Sequence, residues 1–173
     1  IYHGKGVGVG GVVTTRVPQR LINLGFHRPE DTFFWDGRAK NLEEQVTQPF
    51  ANPTEMGFTS IEPVLEKIRN RSGDYGPLVR QTFGINLDEL TEVHLGKALA
   101  TYVRSLVVGN APYDEFKRGN ANALSAAQKR GFGVFKMNCS GCHSGADLSD
   151  NKFHNTGLYA PQTPNDIGRM AVT

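Results

Sequence analysis

Two thiols and an imidazole stand together at Cys139-Ser140-Gly141-Cys142-His143. This C-x-x-C-H spacing is the attachment signature of c-type haem. Each thiol can add across one vinyl group of a single haem, and the histidine that follows falls beneath the ring as an axial ligand to iron. Zinc is the competing use of such residues. A tetrahedral structural site normally takes its fourth ligand from a second pair, and the chain has only 2 cysteines. A thioredoxin-type redox pair needs a βαβ setting, which the sequence does not offer. Cys139, Cys142 and His143 are therefore read as the site of one haem c, with His143 on the iron. Both cysteines are then used, and no disulfide is expected.

The sixth ligand has several candidates: Met56, Met137, Met170 and the four other histidines. Met137 is too close to Cys139 to reach the opposite face easily. Met170, downstream in an irregular segment, is the best placed, although a loop methionine is the plainer reading. His154 reads as a packing or hydrogen-bonding group near the haem rather than a ligand.

The elements that must position this motif read as helices joined by long loops. Ser125-Ala126-Ala127-Gln128 is a capping box that opens a helix to about Met137, running directly into the haem motif. Gly131 and Gly133 lower its helix propensity, which predicts another backbone packed against them. Upstream, Asn41 is an N-cap for a short helix from Leu42 to Gln48, with Glu43 and Glu44 at its positive end and Pro49 as its stop. Ser60 caps a helix to about Arg71 with Ile61, Val64, Leu65 and Ile68 on one face. Gly76-Pro77 starts a helix through Phe83, closed by Gly84. Thr91 caps a longer one to about Val107, with Leu95, Ala98, Leu99, Tyr102, Val103 and Leu106 as its apolar face. Asp36-Gly37-Arg38 reads as a turn after the aromatic run Phe33-Phe34-Trp35, and residues 52–57 as a loop. Residues 108–124 are polar and rich in Gly and Asn, which marks a boundary between two parts. No strand shows convincing alternation.

Composition sets the limits. The chain of 173 residues suffices for one good core or two small domains. Hydrophobic residues make up 38 %, low for a compact globule, so a haem would add apolar surface to pack against. The 20 glycines and 9 prolines call for extensive loops. A net charge of +2 argues against binding driven by nucleic-acid phosphates. No apolar run approaches the roughly 20 residues of a membrane span. Residues 6–11 satisfy G-x-G-x-x-G, but too little chain precedes them for a strand and no helix follows. They read as a loop with glycines at positive φ. The chain begins at Ile1 without a visible signal peptide and looks processed or truncated. Haem c attachment points to the periplasm.

Several runs, in order, give the chain a resemblance. They are Phe34-Trp35-Asp36-Gly37-Arg38, Leu42-Glu43-Glu44-Gln45, Pro49, Asn52-Pro53, Glu55-Met56-Gly57, Ala98-Leu99-Ala100 with Arg104, Tyr113-Asp114, Ala123-Leu124-Ser125, the haem motif, and Phe153-His154-Asn155-Thr156-Gly157-Leu158. With them the chain resembles the bacterial di-haem cytochrome c peroxidase / MauG family across nearly its whole length. The resemblance implies an all-α fold of two cytochrome c-like domains with extensive loops. Residues 1–110 would be the remainder of the first, peroxidatic domain, and residues 111–173 the start of the second. It implies hydrogen peroxide as substrate, electrons from a small donor protein such as a cytochrome c or cupredoxin, and a second haem beyond the one attached here. Calcium and a homodimer are further expectations of the family.

By the same resemblance Trp35 matches the tryptophan between the haems. Gln45 and Glu55 match the pair lining the peroxide pocket, and Pro49 a proline of that pocket. Splitting an O–O bond heterolytically requires a proton to move between its oxygens, which a carboxylate such as Glu55 can do as base and then acid. Gln45 can donate a hydrogen bond that orients peroxide. The family's other C-x-x-C-H, which would precede the Gly-rich stretch, is not in the sequence. Nor is the C-terminal part that supplies the second haem's distal ligand and calcium ligands. The Gly-rich loop carries no histidine from Gly8 to Val13, and His3 lies too early to match a distal ligand. Two expectations follow: a portion of a longer di-haem enzyme, either a peroxidase or a MauG-like oxidant of a partner protein's side chain, or a shortened mono-haem electron carrier.

Overall fold

The computed structural model describes residues 4–155 and 167–173. Their architecture is helical, with no strand among the described residues and two isolated antiparallel bridges, Val7–Val13 and Phe33–Ala39. Six helices carry it: α1 (Leu42–Ala51), α2 (Glu62–Arg69), α3 (Ser72–Phe83), α4 (Glu92–Ser105), α5 (Pro112–Lys117) and α6 (Ala126–Asn138). No helix among the described residues is long and apolar enough to cross a membrane.

Packing of α1 on α4 builds the principal core. Leu24, Phe33, Ala39, Leu42, Ala100 and Val103 are buried there, with Phe34 and Val46 against them. The two helices approach closely because α4 presents Gly96. A Cβ at that position would lie 2.9 Å from the Glu43 carbonyl oxygen. Beside this contact Arg104 grips the Glu43 carboxylate with both terminal nitrogens, at 2.6 and 2.9 Å. Forked geometry of this kind makes an ion pair directional as well as attractive. A second core, of Leu65, Val79 and Leu90, joins α2 and α3 to the turn Leu87–Glu89.

Three of the helix ends read from sequence are in place. The Asn41 side chain accepts the Glu44 N–H at 2.8 Å, and Ser125 and Gln128 cap each other reciprocally. Gly84 closes α3 in the left-handed region. Several boundaries differ from expectation. Pro49 does not stop α1, which continues to Ala51. It sits in the last turn, where its missing N–H costs one bond, and the returning loop satisfies the late carbonyls through Met56 N–H to Pro49 O and Phe58 N–H to Phe50 O. Helix α3 begins at Ser72, ahead of Gly76-Pro77, because the Arg71 carbonyl accepts from Asp74 and Tyr75 and starts the turn. Helix α2 begins after Ile61 and takes no cap from Ser60, with Pro63 in its first turn.

Helix α4 ends at Ser105 rather than Val107 because Asn23 peels the chain away. Its backbone N–H binds the Leu106 carbonyl, and its side chain brackets Val108 through N–H and C=O. Tyr102, assigned to the apolar face of α4, is 65 % exposed. No neighbouring backbone lies near Gly131 or Gly133, so the close packing expected there is absent among the described residues. The polar stretch 108–124 contains a helix, α5, that the sequence did not announce.

Two loops fix the surroundings of the cleft described below. The Gly-rich segment folds back on itself through the Val7–Val13 bridge, with Gly10 and Gly11 at positive φ as read from sequence. It rests on the 52–57 loop, where the Val9 N–H donates to the Glu55 carbonyl at 2.8 Å. A Cβ on Gly8 would lie 2.1 Å from the Thr54 carbonyl oxygen, so only glycine fits. The other loop is the turn 33–39, whose buried Asp36 carboxylate is held by Arg16 at 2.8 Å and Arg38 at 2.9 Å.

Burial alone would raise the Asp36 carboxyl, but the hydrogen bonds from Arg16 and Arg38 outweigh it and hold the group below its ordinary value of 3.8. Such a group stabilises the fold fully above its unfolded value, and the contribution is lost as pH falls through the lower folded value. Resistance to urea is therefore expected to fall below pH 3.8. Asp36→Asn is expected to lower stability at neutral pH and to flatten that acid limb; an unchanged acid limb would contradict the assignment. Gly8→Ala is expected to cost about 1–3 kcal/mol and several degrees of thermal midpoint. Gly109→Ala, with no heavy atom within 4 Å of its Cβ, serves as the neutral control.

Candidate functional site

A cleft of about 480 Å³ opens between the Arg16–Gln19 segment, the 34–38 turn, α1 and the 52–55 loop. Trp35, Gln45, Pro49 and Glu55 all line it. The four come from three separate stretches, and the α1–α4 core sets their relation. Helix α1 packs Leu42 and Val46 against that core, and Gln45 and Pro49, on the adjoining flank of the same helix, line the cleft.

The cleft groups are held individually. Trp35 is 56 % exposed, and its indole N–H donates to the Val17 carbonyl at 2.8 Å. The Glu55 carboxylate accepts at Oε2 from Asn52 Nδ2 at 2.7 Å. Asn52 is itself oriented, because its Oδ1 accepts from both the backbone N–H and the hydroxyl of Thr54. Gln45 is only 6 % exposed. Its Nε2 reaches the Gln19 side-chain oxygen at 3.4 Å, and its own Oε1 is buried with no protein partner. The sequence reading made Gln45 a donor toward peroxide; the geometry leaves it an unsatisfied acceptor as well.

Reading the sequence missed Gln19, Asn52, Arg16 and Arg38 as supports of the cleft. Asn52 carried a legible signal, since an Asx residue ahead of Pro-Thr favours a side-chain-capped turn. Gln19 carried none, because it lies in a polar stretch without periodicity.

The haem motif lies at the end of α6. Cys139 terminates the helix, and its carbonyl accepts from the N–H groups of Cys142 and His143. Both thiols are exposed. Beside them a groove of about 980 Å³ is walled by Ile22, Phe26, Val108, Phe132, Phe135 and Leu148, with His143 at its edge. Helix α5 braces this wall through Tyr113 and Phe116, which meet Phe132 edge-on at 5.6 and 5.8 Å.

His143 Nδ1 lies 3.0 Å from the Leu148 carbonyl oxygen. A carbonyl can only accept, so Nδ1 carries the proton and Nε2 presents its lone pair. That is the tautomer a metal-bound imidazole requires, with the second hydrogen bond fixing its orientation. The apolar wall, two exposed thiols each next in sequence to a residue that lines the groove, and the tautomer of the imidazole fit one haem c. Met56, Met137 and Met170 do not line this groove, and Met170 is 78 % exposed. The His154 ring instead pairs with Asp150 at 2.8 Å. His3 and residues 156–158 of the resemblance lie outside the described residues.

The segment after the motif returns to the cleft side. Asn151 donates to Asp31 at 2.8 Å, and Arg28 holds the same carboxylate at 2.9 Å. Arg169 donates to the Asp36 carbonyl at 2.9 Å while its guanidinium covers the Phe153 ring at 4.1 Å.

Covalent attachment gives a direct test. In denatured wild-type protein, produced in a host that attaches haem c, the chain carrying Cys139 and Cys142 is expected to retain haem by intact mass. A Cys139→Ala/Cys142→Ala variant is expected to carry one haem fewer per chain than wild type. A double variant that keeps as many haems per chain as wild type after denaturation would overturn the assignment of the motif.

Comparison with known proteins agrees with these features. Residues 2–122 match the family described as di-haem cytochrome c peroxidase. The methylamine utilization protein MauG of Methylorubrum extorquens is 39 % identical over 95 % of this chain and 45 % of its own length. The cytochrome c peroxidase Ccp of Escherichia coli is 33 % identical over 96 % of this chain and 36 % of its own. Among solved structures, the diheme peroxidase BthA from Burkholderia thailandensis superposes with a TM-score of 0.55 at 31 % identity, over 67 % of this chain and 30 % of that one. The chain thus spans less than half the length of these relatives. By its family match, its helical fold and its haem-attachment motif, the chain belongs to the di-haem cytochrome c peroxidase family.

Proposed function

We propose that the chain is part of a periplasmic di-haem c-type peroxidase, which reduces hydrogen peroxide to two waters with two electrons and two protons. A small redox protein, a cytochrome c or a cupredoxin, supplies the electrons. The observation that carries this reading is the gathering of Trp35, Gln45, Pro49 and Glu55 around one cleft. Residues 1–110 are then the remainder of the peroxidatic domain, and residues 111–173 the start of the electron-receiving one. A second haem, calcium and a homodimer come with the family reading.

Cys139, Cys142 and His143 would hold a haem, which would supply a one-electron redox centre. The chain's own groups do the rest. Glu55, whose Oε2 is occupied by Asn52, takes a proton from peroxide at Oε1 and returns it to the departing oxygen. Gln45 orients the peroxide through its amide. Pro49 gives the cleft wall an apolar ring. Trp35, anchored through its indole N–H, gives electrons an aromatic stepping point.

A second reading has a specific support: MauG relatives from two organisms share 39 % and 38 % identity with the chain, above the 33 % of the E. coli peroxidase. In that reading the same groups serve the oxidation of a partner protein's side chain. In full-length haem-loaded protein, Glu55→Gln is expected to lower peroxide-dependent oxidation of a reduced small cytochrome by about 10²–10⁴-fold. Undiminished turnover in that variant would remove Glu55 as the proton carrier. A wild-type protein that fails to oxidise the donor, yet modifies a partner protein when peroxide is added, would favour the second reading.

A further inference from the structure

One side-chain oxygen serves two groups of the cleft. Gln19 Oε1 accepts from the Phe34 backbone N–H at 2.7 Å and from Gln45 Nε2 at 3.4 Å. The first bond is short and fixes the Gln19 amide, because a backbone N–H can only donate. The second is long, but it decides which way the Gln45 amide faces. In the reversed orientation two carbonyl oxygens would oppose each other, and an N–H in place of Oε1 would be buried without an acceptor. Gln45 Oε1, at a side chain more than nine-tenths buried, has no partner within the protein. A buried acceptor of this kind is costly unless something else satisfies it.

We propose that Gln19 is a positioning residue that acts through Gln45, fixing its amide so that the carbonyl oxygen is kept for a hydrogen-bond donor in the cleft, such as the hydroxyl of hydrogen peroxide. The proposal rests on the reading of Gln45 as a group of the peroxide cleft. Neighbouring contacts support a positioning part for this segment. Arg16 binds the Asp36 carboxylate and Val17 O accepts from Trp35, so Arg16 to Gln19 straps the 34–36 turn at three successive points.

The test is a double-mutant cycle in the full-length, haem-loaded protein. Gln19→Leu removes the acceptor at similar size, Gln19→Glu keeps acceptor oxygens, and Gln45→Leu removes the amide through which Gln19 acts. Two quantities are read: kcat/KM for peroxide, and the dissociation constant of imidazole, an iron ligand with a free N–H to donate, from the Soret band, which needs no turnover. Gln19→Leu is expected to weaken both by roughly three- to tenfold, the worth of one neutral hydrogen bond. Gln19→Glu is expected to stay within about twofold of wild type on the same scale. In the Gln45→Leu background, Gln19→Leu is expected to cost nothing further, which a merely structural role would not produce.

Independent, multiplying losses, or a Gln19→Glu variant as impaired as Gln19→Leu, would overturn the proposal. So would a Gln19→Leu variant indistinguishable from wild type. Should Gln19→Leu fail to fold, Gln19→Met, unbranched and of similar length, carries the same cycle. A wild-type protein inert to peroxide would fail the peroxidase reading alone, because the coupling is still read in imidazole affinity.

Discussion

Phe34 adopts a left-handed backbone with φ of 64°, a conformation that costs a side-chain-bearing residue about 1–2 kcal/mol. Much of the cleft depends on that cost being met. The Phe34 N–H donates to Gln19, the flanking residues pair across the Phe33–Ala39 bridge, and the Arg38 guanidinium covers the Phe34 ring at 3.6 Å. Both residues of the bridge are buried in the α1–α4 core. The turn is thus anchored on its apolar side by packing and on its polar side by hydrogen bonds. Between these anchors stand Trp35, directed by Val17, and Asp36, directed by two arginines. If Phe34 relaxed to an ordinary conformation, the indole and the carboxylate would both lose their placement.

Helix α1 transmits the same order to the other wall. One side of it is committed to the core through Leu42 and Val46, and its approach to α4 is fixed by the gap at Gly96 and the Arg104–Glu43 fork. That commitment leaves little freedom for Gln45 and Pro49. The other end of α1 is tied as well. Its last carbonyls have no partner within the helix, and the 52–58 loop satisfies two of them, through Met56 N–H to Pro49 O and Phe58 N–H to Phe50 O. The loop that carries the Glu55 carboxylate is thereby fastened to the helix that carries the Gln45 amide.

What the sequence made legible follows from locality. The Asn41 cap, the Ser125–Gln128 box and the Gly84 stop are each decided by a few adjacent residues, and each stands where it was read. The gathering of Trp35, Gln45, Pro49 and Glu55 was legible only through the resemblance, since their spacing alone gives no common face. Misread elements are those in which distant residues overrule local preference. Asn23 ends α4 from across the core, the returning loop lets α1 pass Pro49, and the Arg71 carbonyl starts α3 ahead of its Gly-Pro pair. The Gln19 contact belongs to the same class, a pairing across 26 residues that no local pattern encodes.

The contacts of the segment after the haem motif add a constraint from the opposite direction. Asp31 is shared by Arg28, a near neighbour, and Asn151, which lies 120 residues away. The Asp36 carbonyl accepts from Arg169, and Phe153 lies against the same arginine. Gly37 makes this docking feasible, because a Cβ there would meet Arg169 and Phe153 at 2.3 and 2.5 Å. The turn that carries Trp35 is therefore clamped by the Arg16–Gln19 strap on one side and by the segment following the haem motif on the other. Movement of the segment after Cys139 to His143 strains the Asp31 and Asp36 contacts, and the Asp36 contact is continuous with the cleft. Directional polar bonds hold the segment after the motif to the turn, whereas the α1–α4 core is held by packing. Such bonds keep an exposed aromatic group in place although each contributes only a modest net energy.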